Sequence, residues 1–331
     1  MSRANHQLVF FSRIQSLTEA WLTRRNRIKR IKKEKQKNKH PALDWIDAFL
    51  WAAGMVLLIN QYLFQAYQIP SGSMIDTLLI KDHVFVNKLV YGPEILPGLG
   101  KLPSPIKPKR NDIIIFENPS YISRGPVFDI AQRVIYMLTL SLLDIDRDES
   151  GSPRAHFLIK RAAAMGGDRI AVENGEVKIR FSGDDRWTDE REYAAARNWK
   201  HNISKLVNAS QYPALRALGK EAAWTDLRLP APERFSAYRD LGNLNYLDYT
   251  AFEKARLETL RAAMPHDSRY RMLLARNYNL GRYIPEGRIL PLGDNRDNSR
   301  DGREFGPVKL SKVLGKGALI YWPLNRLRPI R

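Results

Sequence analysis

The octapeptide Tyr67-Gln68-Ile69-Pro70-Ser71-Gly72-Ser73-Met74 follows the one long apolar run of the chain. Gly72 permits a sharp turn and Pro70 fixes one dihedral, so the backbone can hold Ser73 outward with an amide beside it. A nucleophilic hydroxyl needs that arrangement: exposure, a fixed direction, and a donor for the oxyanion that forms. The same eight residues also read as a Ser/Gly turn that closes a linker. The flanking sequence decides between them.

Upstream, Trp45 to Phe64 is mostly apolar, with Asp47 and Asn60-Gln61 near its ends. Roughly twenty such residues make a helix of about 30 Å, the thickness of a bilayer's hydrocarbon core. The pattern predicts a transmembrane anchor over 44–66, with Trp45, Trp51, Tyr62 and Tyr67 as interfacial aromatics. A buried soluble helix is the competing reading. No small-x-small cleavage pattern follows, so the segment reads as a retained anchor. Residues 1–40 hold twelve Lys and Arg against Glu19 and Glu34, more than half of the net charge of +19. Positive-inside bias puts this basic tail, residues 1–43, in the cytoplasm and everything after Tyr67 on the far side. Residues 6–22 suit a short amphipathic helix on the inner leaflet, and residues 24–39 a polybasic segment facing anionic phospholipid. Nucleic acid is the weaker partner, because no aromatic platform or recognition fold accompanies the charge. An extended chain covers at most ~3.5 Å per residue, which keeps Ser73 within ~35 Å of the membrane surface.

The 331 residues suffice for one large or two smaller domains, and the absence of cysteine excludes disulfides, thiolate nucleophiles and cysteine-ligated metals. Beyond Ser73 the pattern turns to short strands: residues 83–91 alternate, and 112–116 form a compact apolar run. Residues 92–108 are a Pro/Gly-rich loop. Strand patterns return at 156–162, at 170–172 and 177–181 around an Asn174-Gly175 hairpin signal, at 288–292 and at 313–322. The fold class is therefore a mainly β core over 67–185 and 283–331, with a largely helical insertion over 186–282. In that insertion Thr250-Ala251-Phe252-Glu253 fits a capping box. Residues 130–145 read as a helix packed on the body or lying in the membrane interface.

Ser73 needs a base. None of the six histidines sits in a context suited to that role, whereas Lys160 lies in the apolar run Phe157-Leu158-Ile159. Burial there would lower its pKa, and a neutral lysine can take a serine proton. A lone strand lysine also reads as surface. A third constellation, Gly293-Asp294-Asn295-Arg296-Asp297-Asn298-Ser299-Arg300-Asp301-Gly302, has half of a calcium-loop pattern but carries Val308 where a bidentate glutamate belongs. It is better read as a hydrogen-bonded turn in which Ser299 steadies a lysine and Asp301 pairs with Arg303.

Pro70-Ser71-Gly72-Ser73-Met74, Ile159-Lys160-Arg161-Ala162 with Gly167-Asp168, and Gly293-Asp294-Asn295-Arg296-Asp297-Asn298-Ser299-x-Asp301 resemble, in order, the motifs of type I signal peptidases. Arg110-Asn111-Asp112-Ile113-Ile114-Ile115-Phe116 resembles the family's remaining strand motif. The likeness covers about 67–118, 157–181 and 286–322, and leaves out the tail, residues 121–150 and the insertion. It implies the β fold shared with repressor peptidases and a serine endopeptidase of the bacterial inner membrane. The N-terminus would be cytoplasmic and the catalytic domain extracytoplasmic. Signal peptides would be cut from preproteins after small residues, with no cofactor or metal. Export machinery is a further candidate partner. By the same resemblance Ser73 is the nucleophile, Lys160 the general base, and the Ser71 hydroxyl and Ser73 amide the oxyanion hole. Ser299, Asp301, Arg303, Asp294 and Arg161 would support the site. Gln68, Ile69, Pro70, Met74, Phe157, Leu158 and Ile159 would bind an extended substrate as an added strand.

Two positions depart from the family pattern: Asp76 stands where proline is usual, and Met165-Gly166 where Leu/Pro precedes Gly-Asp. Asp76 either raises the Lys160 pKa or faces water without effect. A self-cleaving repressor-type peptidase shares the Ser–Lys logic, but the expected anchor and the lack of a helix-turn-helix argue against it. A catalytically silent relative serving as a membrane scaffold is the non-enzymatic alternative.

Overall fold

The computed structural model describes residues 18–31, 41–95, 100–149, 151, 154–199, 203–205, 207–232 and 248–330. Most of the amphipathic stretch expected over 6–22 and the end of the polybasic segment lie outside the described residues. The chain forms two compact units, Met1–Val56 and Leu57–Arg331. In the first, α1 (18–31) is exposed along its whole length. The boundary between the units falls within α2 (Pro41–Tyr62).

The expected anchor over 44–66 needs correction. Among the described residues no helix is long and apolar enough to cross a membrane. Asp44 and Asp47 lower the apolarity of α2 at one end, and Asn60 and Gln61 lower it at the other. The last two are recruited by the body: the Asn60 amide donates to the Met137 carbonyl at 3.4 Å and the Gln61 amide to the Glu94 carbonyl at 3.0 Å. The chain then enters β1 (Phe64–Gln68), so the last expected anchor residues belong to the sheet.

That sheet is antiparallel. It comprises β1, β2 (His83–Asn87), β3 (Ile113–Glu117), β4 (Phe157–Met165), β9 (Arg288–Leu292), β10 (Val308–Lys309), β11 (Val313–Trp322) and β12 (Arg328–Pro329), in the order β1-β2-β11-β3-β4-β9-β10 with β12 beside β11. Strand β3 shows why its sequence is apolar without alternation. Ile113 and Ile115 enter one core with Tyr67, Ile69, Met74, Val84 and Ile320, while Ile114 and Phe116 enter another with Tyr91, Ala162, Ile289 and Val313. A strand buried on both faces needs apolar residues at every position.

A second sheet orders β7 (Thr188–Asp189), β6 (Glu176–Arg180), β5 (Arg169–Glu173) and β8 (Arg282–Tyr283). The β5–β6 turn puts Asn174 at φ 50° and Gly175 at φ 75°, the paired left-handed residues of a tight hairpin. Residues 188–189 and 282–283, at the two ends of the helical segment, are strands of this sheet. Between them lie α4 (Glu190–Ala196), α5 (Tyr212–Asp226), α6 (Tyr249–Ala263) and α7 (Ser268–Leu274). Helix α6 starts earlier than its expected capping box. Asp248 is the N-cap and accepts from the Thr250 and Ala251 amides, because its carboxylate reaches both free N–H groups. The apolar stretch expected over 130–145 is α3 (Pro126–Leu138), opened by proline at its first turn and followed by irregular chain.

Candidate active site

Beyond β1, the backbone of Ile69 bonds to Asp82 and Lys81, and the octapeptide ends in a single 3-10 turn, Gly72–Met74. Gly72 adopts no left-handed conformation there. The turn faces the first half of β4, where residues 157–160 pair with β3 on one side, while β9 pairs with β4 only from Arg161 onward. Lys160 projects from that stretch, and its Nζ is hydrogen-bonded to Ser73 Oγ. Both side chains are buried. The Lys160 pKa is brought down from 10.5 to about 8, chiefly by burial, with Asp301 and Asp294 acting to raise it and Arg303 to lower it. An amine so tuned is neutral at mildly alkaline pH and can accept a proton from the hydroxyl it touches. The Ser71 hydroxyl lies 3.4 Å from Ser73 Oγ, near where an attacked carbonyl oxygen would develop charge.

The 293–301 segment braces this pair. Asp301 accepts from the Gly293 amide at 2.9 Å and pairs with Arg303 at 2.9 Å. Burial of Asp301 is overcome by Arg303 and by backbone amides, so its carboxyl titrates below the usual range. Asp294 takes a bidentate pair from Arg161 at 2.8 and 2.6 Å, and Arg161 also reaches Asn111 Oδ1 at 2.8 Å. This places β4, the 293–301 segment and the turn before β3 in one fixed relation. Gly293 is required by closeness: a Cβ there would lie 2.7 Å from the Ser73 carbonyl oxygen and 2.0 Å from Ser299 Oγ.

A cleft of about 360 Å³ runs from this pair along the open edges of β1 and β4. Gln68, Ile69, Pro70, Ser71 and Ser73 form one wall, with Phe157, Leu158, Ile159 and Lys160 forming the other. Free strand edges on both sides suit an extended peptide added as a strand between them.

Two expectations change, and a position left open is resolved. Met74 lies in the first core with no exposed surface and does not line the cleft, because the 3-10 turn rotates it inward. Ser299 Oγ is buried beside Gly293 with no hydrogen-bond partner among the described residues, so the expected contact with Lys160 is not made. Asp76 faces solvent and is not among the charges acting on Lys160; the peptide bond before it is cis.

The structure also brings in residues for which the sequence implied no role. Thr77 bonds Asp294 at 2.5 Å. Asn295 holds the turn that carries Ser73. The helical segment contributes Glu190, which pairs with Arg296 at 2.7 Å, and Ser204, whose backbone bonds Asp294 and Arg296. Asn295 lay within a quoted motif, but Glu190 and Ser204 carried no signal in a stretch read only for helical periodicity.

Comparison with known proteins agrees with this geometry. The family model described as "Signal peptidase, peptidase S26" matches residues 42–322. Signal peptidase I of Pseudomonas fluorescens is 38% identical over 304 residues, covering 88% of this chain and 77% of the relative. Signal peptidase I of Haemophilus influenzae is 26% identical over 290 residues, covering 86% and 71%, and that of Aquifex aeolicus 27% over 278 residues, covering 81% and 79%. With a model spanning most of its length and a core that holds Ser73 against Lys160, the chain belongs to the signal peptidase family.

Proposed function

We propose that the chain is a serine endopeptidase that removes signal peptides from exported preproteins, using Ser73 as nucleophile and Lys160 as general base. The observation that carries this reading is the hydrogen bond between Lys160 Nζ and Ser73 Oγ inside a buried, pKa-lowering site. Neutral Lys160 takes the Ser73 proton as Oγ attacks the scissile carbonyl. The Ser71 hydroxyl and the Ser73 amide stabilise the oxyanion. Collapse breaks the C–N bond, and the lysine ammonium returns the proton to the leaving amine, leaving an acyl-enzyme on Ser73. Water, deprotonated by Lys160, then hydrolyses the ester. Shallow apolar walls at Ile69 and Ile159 favour small residues at the first and third positions before the cut.

Membrane attachment falls to α2, whose Trp45, Phe49, Leu50, Trp51 and Leu58 are exposed. With the basic tail before it, this supports a cytoplasmic N-terminus, an extracytoplasmic catalytic domain, and anionic phospholipid and the export machinery as partners. The test is cleavage, by purified protein in detergent, of a preprotein whose signal ends in Ala-x-Ala. Unchanged cleavage by Ser73→Ala or Lys160→Ala would sink the assignment.

A further inference from the structure

Past Phe157 the cleft continues into a second pocket of about 160 Å³ whose chemistry differs from the first. Tyr67, Gln68, Pro70, Ala155 and Phe157 are common to both. Near Ser73 the walls are Ile69, Ile115, Leu158 and Ile159; beyond Phe157, Tyr136, Ser141, Leu142 and His156 are joined by the polar side chains of Gln132, Asp144, Arg147 and Arg154. None of those last four lies in the motifs that mark the family. They come from α3 and the irregular chain after it.

Register gives the distance from the cut. A peptide laid along β4 advances one residue per strand residue, at about 3.4 Å each. With the scissile bond at Lys160, the residue beside His156 is four to five positions upstream. The second pocket therefore receives the fourth to sixth residues before the cut.

Hydrogen bonding gives the preference. Gln132 is 3% exposed; its Nε2 donates to Asp144 Oδ1 at 2.8 Å, which fixes the amide and leaves Oε1 as an acceptor. That Oε1 and the Tyr67 hydroxyl are both buried with no hydrogen-bond partner among the described residues. Buried polar groups are nearly always paired, and an orphaned one is costly. A ligand with a donor at this depth removes the cost, whereas an aliphatic side chain seals it in. Arg147 and Arg154 outnumber Asp144 at the same pocket, and the excess positive charge disfavours a cationic donor.

We propose that this pocket is a specificity subsite for the substrate residue about five positions before the cut, selecting neutral hydrogen-bond donors (Asn, Gln, Ser or Thr) over aliphatic residues. It rests on the endopeptidase reading above. The test uses peptides that end their signal in Ala-x-Ala and differ only at the fifth position before the cut, Gln against Leu. The wild type is expected to prefer Gln by about tenfold in kcat/KM, the scale of one buried hydrogen bond. Gln132→Leu is expected to bring the Gln/Leu ratio close to one, whatever its absolute rate. Equal wild-type rates for the two peptides would overturn the subsite while leaving the peptidase intact, as would a ratio that Gln132→Leu leaves unchanged. Cleavage of neither peptide would overturn the endopeptidase reading and the subsite together.

Discussion

Asn295 donates its backbone N–H to the carbonyl oxygen of Ser73 at 3.1 Å, and its side-chain amide donates to the carbonyl of Gly72 at 3.1 Å. The turn that presents the hydroxyl is thus held by a segment more than two hundred residues on, not by its own short 3-10 helix. Asn295→Leu keeps the backbone bond and removes the side-chain one. It leaves the Gly72 carbonyl with only the long bond from the Ile75 amide, at 3.3 Å, so Ser73 is free to shift. A misplacement near 1 Å lowers the rate by about a hundredfold. The expected outcome is a fall in kcat with little change in KM, read from peptide cleavage.

Gly293→Ala tests the same brace from the other side. The added Cβ meets backbone at Ser73, which cannot rotate away as a side-chain end can. Overpacking of this kind costs about 1–3 kcal/mol. A lowered melting temperature together with loss of cleavage is expected. Full activity in the variant would show that the turn tolerates displacement.

With Lys160 as the proposed base, its pKa sets the expected pH dependence. Its pKa falls from 10.5 to about 8 on folding, chiefly by burial, so the neutral base accumulates as pH rises through about 8. The rate constant kcat/KM is expected to climb across that point and then level off. Between about 8 and 10.5 the folded chain binds fewer protons than the unfolded one, so stability rises with pH in that window. Below it, the buried ammonium costs on the order of 3 kcal/mol. Lys160→Met is therefore expected to be inactive and, at pH 7, more stable in urea than the wild type.

Asp76 is the position at which the sequence left two outcomes open. Its carboxylate is exposed, and the charges that bear on Lys160 are Asp301, Asp294 and Arg303. Exposed charges are screened by solvent and salt. Asp76→Asn should leave the rising limb of the pH–rate profile within about 0.3 unit of the wild type. A downward displacement of the limb would show that the aspartate does reach the base.

Strands were the most legible part of this chain, because their patterns are local. Residues 113–116 announce burial on both faces, and Asn174-Gly175 can hardly be anything but a hairpin turn. Lys160 was harder: no feature of residues 157–160 distinguishes a buried amine from a surface one until Ser73 is packed against it. The end of α2 was misread because Asn60 and Gln61 look like the polar rim of a membrane span, whereas they bond to carbonyls of the body. Met74 looked like a cleft residue from its place beside Ser73, but a 3-10 turn alternates direction differently from a strand and sends it into the core. What the sequence concealed entirely was the part played by the helical segment, since a contact such as Glu190 with Arg296 leaves no periodic trace.

That contact makes the last prediction. Arg296 is fully buried, its Nε donates to the Gly293 carbonyl at 2.9 Å, and its guanidinium pairs with Glu190 of α4 at 2.7 Å. Glu190→Ala leaves a buried cation without its partner, a change that costs about 3–5 kcal/mol. Because Arg296 also grips Gly293, the loss is expected to reach the Ser73 turn, lowering cleavage as well as melting temperature. Replacing both partners, Glu190→Leu with Arg296→Met, removes the stranded charge and should recover most of the stability. It does not restore the bond to the Gly293 carbonyl, so activity is expected to stay low. Recovery of both together would mean that Glu190 serves only to neutralise Arg296, with no part in setting the loop.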